Sequence, residues 1–368
     1  MTSGRGHLGK RLGPAVVMLA ALQVSASAAT QPGAPAQVRR PAPPVQQAVS
    51  TPQYLRDRIN ELGRNFDGRV GIAVRSIDDG WSTGWKADEL YPQQSVSKLW
   101  VSLTALDAVD RGRVRLDEQV TLTRDDLTLF HQPIAANILG GGYTTTLADL
   151  MFKAITTSDN TANDKLMRSV GGAQAVRNMI GTKHLGAIRF YNGEKALQSK
   201  IAGLIWTPSY SVGNAFYEAR DALPLAIRQR AFNRYVEDPY DGAAPSAIVQ
   251  ALARLKRGEL LSPESTRRLL YIMANTHTGP NRLKGGLQPG WTLSHKTGTG
   301  QVLGAYQAGY NDIGILTAPD GRSYAVAVMI KKTSVPLPVR MTLMNRVVQA
   351  VITQHEMLRG APYVAGRK

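Results

Sequence analysis

The sequence predicts an α+β fold: an antiparallel five-stranded sheet flanked by helices, with an all-helical lobe inserted between the two halves of the sheet. Three observations carry this expectation. Alternating, β-branched segments occur near residues 68–85 and again at 291–331. Apolar stripes at helical spacing fill the stretch between them. Amphipathic helical segments at 52–65 and 338–359 stand at the two ends, where they can cover the joined sheet. A cleft between the two lobes is the expected place for a site.

The chain has 368 residues, of which 43% are hydrophobic, enough to bury a sizeable core. Cysteine is absent, which excludes disulfides and thiolate metal sites. At the N-terminus, Arg5, Lys10 and Arg11 precede an apolar run over residues 12–24, followed by Ala26-Ser27-Ala28. This order predicts a cleaved signal peptide over 1–28 and a periplasmic or secreted protein. Residues 29–52 are rich in Ala, Pro and Gln and are expected to be a disordered linker. Residues 53–368 are expected to form one domain, its α/β lobe drawn from 53–117 plus 286–368 and its helical lobe from 118–285. The net charge is +17, or about +14 without the three leader cations. That charge is scattered, with no basic run interleaved with aromatics, so a nucleic-acid partner is not expected.

Thr51-Pro52 predicts a helix start, with Thr as cap and Pro at the first helical position, running to about Asn65. Residues 68–77 alternate as a strand, Asp78-Asp79-Gly80 is a hairpin turn, and 81–85 return. Gly80-Trp81-Ser82-Thr83-Gly84 matches a nucleophile-elbow pattern. An elbow needs a strand-to-helix turn, however, and Ser82 lies in a hairpin, so it is set aside. Ser95 opens an apolar run that reads as a buried helix ending near Gly112. Residues 113–145 look irregular, with a Gly140-Gly141-Gly142 turn. Leu147, Leu150, Met151 and Ile155 share one stripe of a helix over 146–157. Ser158-Asp159-Asn160 interrupts it, and helices follow over 161–170 and 173–180. Residues 183–191 are a short strand or loop, and the long stretch to Asp241 is partly helical over 215–236. Helices at 244–257 and 262–275 are separated by Gly258, with Ser262-Pro263-Glu264 opening the second. Strands at 291–299, 301–316 and 322–331 follow, the last two joined by Pro319-Asp320-Gly321, and a helix over 338–359 closes the chain.

The chemistry centres on Ser95-Val96-Ser97-Lys98. Residues three apart share a helix face, so the Ser95 hydroxyl and Lys98 amine would lie side by side. A serine becomes a nucleophile when a neighbouring base takes its proton. A lysine buried at a helix N-terminus can lose its charge and serve as that base. Roughly one Ser-x-x-Lys is expected by chance in a chain of this length, so the motif alone is weak. It is followed in order by Ser158-Asp159-Asn160 between helices and Lys296-Thr297-Gly298 on a strand. The ordered trio is far more specific than any member of it.

With these three motifs, and with residues 277–299 (HTGPNRLKGGLQPGWTLSHKTGT), the chain resembles the class A β-lactamases over roughly residues 51–357. The resemblance implies a β-lactamase-like fold and a serine acyl-enzyme mechanism on a small β-lactam substrate. Ser95 would be the nucleophile, with the backbone N–H groups of Ser95 and Thr299 as oxyanion hole. Lys98 would lie beside Ser95, Ser158 and a carboxylate, and Ser158 would relay a proton to the leaving nitrogen. Asn160 would bond the substrate's acylamide carbonyl. Lys296, Thr297 and Thr299 would hold its carboxylate, joined by Arg282 of Thr278–Arg282. Glu194 follows Ser158 by 36 residues and matches the family's water-activating glutamate. The pattern departs at Gln198, where the family has Asn, and at Asn192, where it has Arg. His131 falls where the family often has an aromatic residue at the cleft mouth. The runner-up expectation is a penicillin-binding peptidase or esterase that acylates but turns over β-lactams poorly. A third is a basic envelope-binding protein without catalysis. No metal, cofactor or obligate protein partner is expected, and a monomer is.

Overall fold

The main sheet is antiparallel and takes its strands in the order Ser82–Trp85, Arg69–Ser76, Ser323–Thr333, Tyr306–Thr317, Thr292–Thr299, with a two-residue strand, Val302–Leu303, paired beside Tyr306–Thr317. The computed structural model describes residues 50–360. The two strand groups therefore join as their alternation predicts, with Ile72 opposite Val328 and Lys296 opposite Ile313. Period-two alternation splits the Ser323–Thr333 strand between two cores. Val326, Val328 and Ile330 face the terminal helices Gln53–Arg64 and Leu337–Gly360, through Leu55, Ile59, Met344 and Val347. Ala325, Ala327 and Met329 face the helical lobe. Helix Pro245–Lys256 packs on this second face, and the Lys98–Asp110 helix, of whose 13 residues 11 are buried, lies at the centre of the lobe among its other helices. Helices Leu147–Thr156, Asn160–Ser169, Gly172–Thr182, Pro245–Lys256 and Pro263–Ala274 share its core.

Several expectations are corrected. Ser95 does not start the α-helix. It lies in a 3-10 turn, Gln94–Ser97, and the α-helix begins at Lys98. Thr51 does not cap the first helix, because its hydroxyl donates to Ser82 O at 2.7 Å, and Pro52 stands at the cap position instead. The region 113–145 is not irregular: Gln119–Leu122 pairs with Tyr143–Thr146, and Ala135–Leu139 is a short helix. Each strand is only four residues long, Gln-Val-Thr-Leu and Tyr-Thr-Thr-Thr, too short for its alternation to stand out from the polar stretch around it. Glu194–Ala202 is a helix, which the stretch's mixed polarity did not suggest. Among the described residues no helix is long and apolar enough to cross a membrane. The expected signal peptide and most of the expected linker lie outside the described residues.

Candidate active site

The serine turn is built by pinning the two residues ahead of it. Gln93 donates from Nε2 to Arg189 O at 2.9 Å and accepts from Trp100 Nε1 at 2.5 Å. Gln94 has φ of 54°, a left-handed conformation that costs a non-glycine residue about 1–3 kcal/mol unless its surroundings impose it. They do so here. The Gln94 backbone N–H donates to Asp241 Oδ2 at 2.7 Å, and its side-chain Nε2 donates to Tyr235 Oη at 2.6 Å. Tyr235 in turn donates to Asp241 Oδ1 at 2.9 Å. Burial pushes the Asp241 carboxyl up to about 7 against the pull of these bonds. Ser95, half-buried at the apex of the turn, opens on the cleft.

Lys98 is fully buried behind it. Its Nζ donates to Ser158 O at 2.7 Å, lies 3.4 Å from Ser158 Oγ and 3.5 Å from Glu194 Oε1, and donates to Asn160 Oδ1. Asn160 Nδ2 is held by Leu129 O at 2.7 Å. Ser158 is also left-handed, with φ of 62°, and its Oγ accepts from Lys296 Nζ at 2.9 Å. Asp159 turns away from the cleft. Its carboxylate caps the next helix at Ala162 N, 2.8 Å, and accepts from Ile134 N, 2.7 Å. Burial lowers the pKa of both lysines. For Lys296 the neighbouring Lys98 and Arg282 charges add to that effect, whereas for Lys98 the Glu194 carboxylate opposes it. Two ammonium groups bridged by one hydroxyl thus favour the loss of a proton from the cluster.

Glu194 begins its helix and is buried. With Asn192 in place of the family's arginine, Asp164 holds the segment. Both carboxylate oxygens of Asp164 accept from Glu194 N at 3.0 Å, an acid at a helix N-terminus. Gly193 has φ of 88°, and a Cβ there would meet Met167 Cε at 2.9 Å and both Asp164 oxygens at 3.0 Å, so glycine is required. Asn192 accepts from Arg177 Nη1 at 3.1 Å. Gln198 Nε2 donates to Glu194 Oε2 at 3.1 Å and Gln94 Oε1 at 3.0 Å, and its Oε1 accepts from Gln301 Nε2 at 3.0 Å. The longer amide therefore grips Glu194 directly.

Burial pushes the Asp164 carboxyl up to about 6, with the Glu194 charge adding to it. An unfolded Asp titrates near 3.9. Between about pH 4 and 6 the folded protein holds more protons, so its stability falls as pH rises through that window. Asp164→Asn keeps an acceptor for Glu194 N and removes this titration. Its stability relative to the parent should rise by on the order of 2–3 kcal/mol between pH 4 and pH 7.5. Urea unfolding at the two pH values checks this; parallel curves would remove Asp164 from the account.

Across the cleft, Thr292–Thr299 brings Lys296, Thr297 and Thr299 alongside the serine turn. Gly298 is the contact point: a Cβ there would lie 2.3 Å from Gln93 O. Thr278 and Thr297 share a 2.6 Å hydroxyl bond. Arg282 is buried. It donates to Asn311 O at 2.7 Å, Gly298 O at 3.1 Å and Thr299 Oγ1 at 2.6 Å, with its guanidinium 3.9 Å from the Tyr310 ring centre. His131 stands exposed at the cleft wall, its Nε2 2.7 Å from Thr157 O. The cleft has a volume of about 630 Å³ and collects Ser95, His131, Ser158, Asn160, Gln198, Arg282, Thr297 and Thr299 on its walls. Lys98, Glu194 and Lys296 lie buried behind them. The sequence reading missed Gln94, Asp164, Tyr235, Asp241 and Gln301, and also Phe130, Tyr217 and Arg220 on the cleft wall. Asp164 alone had a local signal, one helical turn beyond Asn160 on the same face.

A family model described as the beta-lactamase enzyme family matches residues 53–355. The chain is 25% identical over 276 residues to beta-lactamase VEB-1 of Pseudomonas aeruginosa, covering 75% of this chain and 82% of that one. It is 28% identical over 281 residues to extended-spectrum beta-lactamase PER-1 of the same organism, covering 76% and 80%. Among solved structures, a beta-lactamase from Chitinophaga pinensis matches with a TM-score of 0.68 at 26% identity, over 82% of this chain and 99% of that one. TLA-3 extended-spectrum beta-lactamase matches with a TM-score of 0.67 at 26% identity, over 82% and 98%.

Proposed function

This chain belongs to the beta-lactamase enzyme family, and from that premise we propose that it is a class A-type serine hydrolase that opens the β-lactam ring through an acyl-enzyme on Ser95. The observation that supports this most is the buried cluster of Lys98, Ser158, Asn160 and Glu194, opening on Ser95. In the first half-reaction the Ser95 oxygen adds to the lactam carbonyl as its proton passes to neutral Lys98. The carbon–nitrogen bond then breaks, and Ser158 gives its proton to the ring nitrogen as it takes the one that Lys98 received from Ser95. Donors fixed before charge develops stabilise the oxyanion. In the second half-reaction Glu194 takes a proton from a water that adds to the ester carbonyl. The bond from the acyl carbon to the Ser95 oxygen then breaks, and that oxygen takes the proton back from the cluster, restoring the Ser95 hydroxyl and the Glu194 carboxylate. Gln198, bonded to the Glu194 carboxylate, orients it. Turnover of a chromogenic cephalosporin by the purified protein tests the whole reading. Formation of a stable adduct without turnover would favour the peptidase-like alternative.

Arg282 lines the cleft, but its guanidinium already serves three acceptors on neighbouring strands. We assign it two effects: holding Thr299 and Gly298 in place, and adding positive field at the substrate carboxylate. Arg282→Ala should lower kcat/KM by about 1.5–3 kcal/mol, the scale of hydrogen bonds to a charged group. Arg282→Lys should recover little, because one ammonium cannot span those acceptors. Wild-type kinetics in Arg282→Ala would leave carboxylate binding to Lys296 and the threonines.

The basic, apolar and Ala-x-Ala order of residues 5–28 supports export to the periplasm or medium. Cleavage is expected after Ala28, and N-terminal sequencing of the exported protein checks it. A mature chain that keeps residues 12–24 would mean an anchor.

A further inference from the structure

Apart from Tyr235, which holds Gln94, the long segment between the Glu194–Ala202 helix and Asp241 has no part in the reaction described above, yet it builds one wall of the cleft. Its helix Ala215–Ala222 carries Tyr217 and Arg220 to that wall, beside Phe130, Gln198 and Gln301. Building on the β-lactam reading, we propose that Arg220 and Tyr217 form a second recognition subsite, one that selects substrates whose acyl side chain bears an aryl ring and a carboxylate.

The charge argument starts from Arg220. Its side chain is only 22% exposed, and its one polar contact among the described residues runs from Nε to Asp221 Oδ1, 3.2 Å away. Asp221 is 57% exposed and also pairs with Arg228 at 3.1 Å. One solvated carboxylate is thus divided between two guanidiniums, and the terminal nitrogens of Arg220 are left for another anion. None of the described residues on the cleft wall is an acid. A sheltered guanidinium with a free edge matches a carboxylate in the two-pronged geometry that lysine cannot reproduce.

Position separates this cation from Arg282. Arg220 lies against Gln301, Val302, Ile201 and Ala202, next to the Glu194–Ala202 helix. Arg282 sits behind Thr299, where Lys296, Thr297 and Thr278 converge. A β-lactam carries its ring carboxylate and its acyl side chain at opposite ends, so one cation can serve each.

The aromatic part is rigid. Buried Phe216 is packed edge-on by Phe130, with ring centres 5.0 Å apart, and by Tyr217 at 5.7 Å. Phe130 is held in a left-handed conformation, with φ of 60°. Both outer rings are exposed to the cleft, and the Arg220 guanidinium stands 5.3 Å from the Tyr217 ring centre. An aryl group can pack on this platform without displacing the cation.

Benzylpenicillin and carbenicillin differ by one carboxylate on the arylacetyl group and make a matched pair of probes. Arg220→Ala should lower the ratio of kcat/KM for carbenicillin to that for benzylpenicillin by about tenfold or more, with Arg220→Lys recovering only part of it. Arg230→Ala, an exposed site on the next helix and absent from the cleft wall, should leave the ratio unchanged. An unchanged ratio in Arg220→Ala, or an equal fall in Arg230→Ala, overturns the subsite. If the wild type turns over neither penicillin, the hydrolase reading fails. The ratio of acylation rates by intact mass then carries the same test of Arg220, and no acylation by either penicillin sinks both ideas.

Discussion

Ser95→Ala should remove acylation altogether, with kcat/KM on any β-lactam falling by about 10⁴-fold or more, as expected when the one nucleophile of a covalent mechanism is lost. The side chain is small and half-buried at the apex of a turn whose own geometry is set by Gln93, Gln94 and Asp241. Removing one hydroxyl leaves those bonds intact, so the loss is chemical and not a failure to fold. Intact mass after mixing with a slow β-lactam should show one added acyl group in the parent and none in the variant. An adduct that persists in Ser95→Ala, or that maps to Ser82, would defeat the assignment.

Glu194→Gln has the second-largest expected effect, and it separates the two half-reactions. The ester formed on Ser95 is stable unless a water beside it loses a proton. Glu194 is a buried carboxylate, 3.5 Å from Lys98 Nζ and held through Gln198. Glutamine preserves its shape and removes its basicity. Turnover should fall by about 10²–10⁴-fold while acylation stays measurable, so the acyl-enzyme accumulates. Turnover at the parental rate would mean that another group activates the water. Accumulation of adduct in the parent itself would favour the peptidase-like alternative over the β-lactamase.

Ser95 is legible from spacing, whereas Glu194 is picked out only by the resemblance to the class A family. Ser95 and Lys98 are three apart on one turn, Ser158-Asp159-Asn160 interrupts a helical stripe, and Lys296-Thr297-Gly298 lies on an alternating strand. Each is a local pattern, and local patterns survive in a linear sequence. The same holds for the sheet: the alternation at 68–85 and 291–331 marks two groups of half-buried strands that bury their apolar faces by joining. The departures at Asn192 and Gln198 were also visible, but not their consequences. With no arginine anchor, the Glu194 segment is held by Asp164 from a neighbouring helix, and the longer Gln198 amide bonds Glu194 itself.

What the sequence determined by itself is therefore the order of the main strands and most helices, the joined sheet and the three short motifs, because periodicity and short spacing encode them. Tertiary structure alone decided how those groups are held. Asp241 reaches Gln94 across 147 residues of chain, and Asp164 reaches Glu194 across 30. Arg220 and Tyr217 come to the cleft only because the long segment folds back over the Glu194 helix. A hydrogen bond between distant residues leaves no trace in local composition, since its donor and acceptor need only meet once the chain has folded. The paired strands Gln119–Leu122 and Tyr143–Thr146 escaped for the complementary reason: at four residues each, one of them mostly threonine, they bury few apolar side chains and offer too short a period to read.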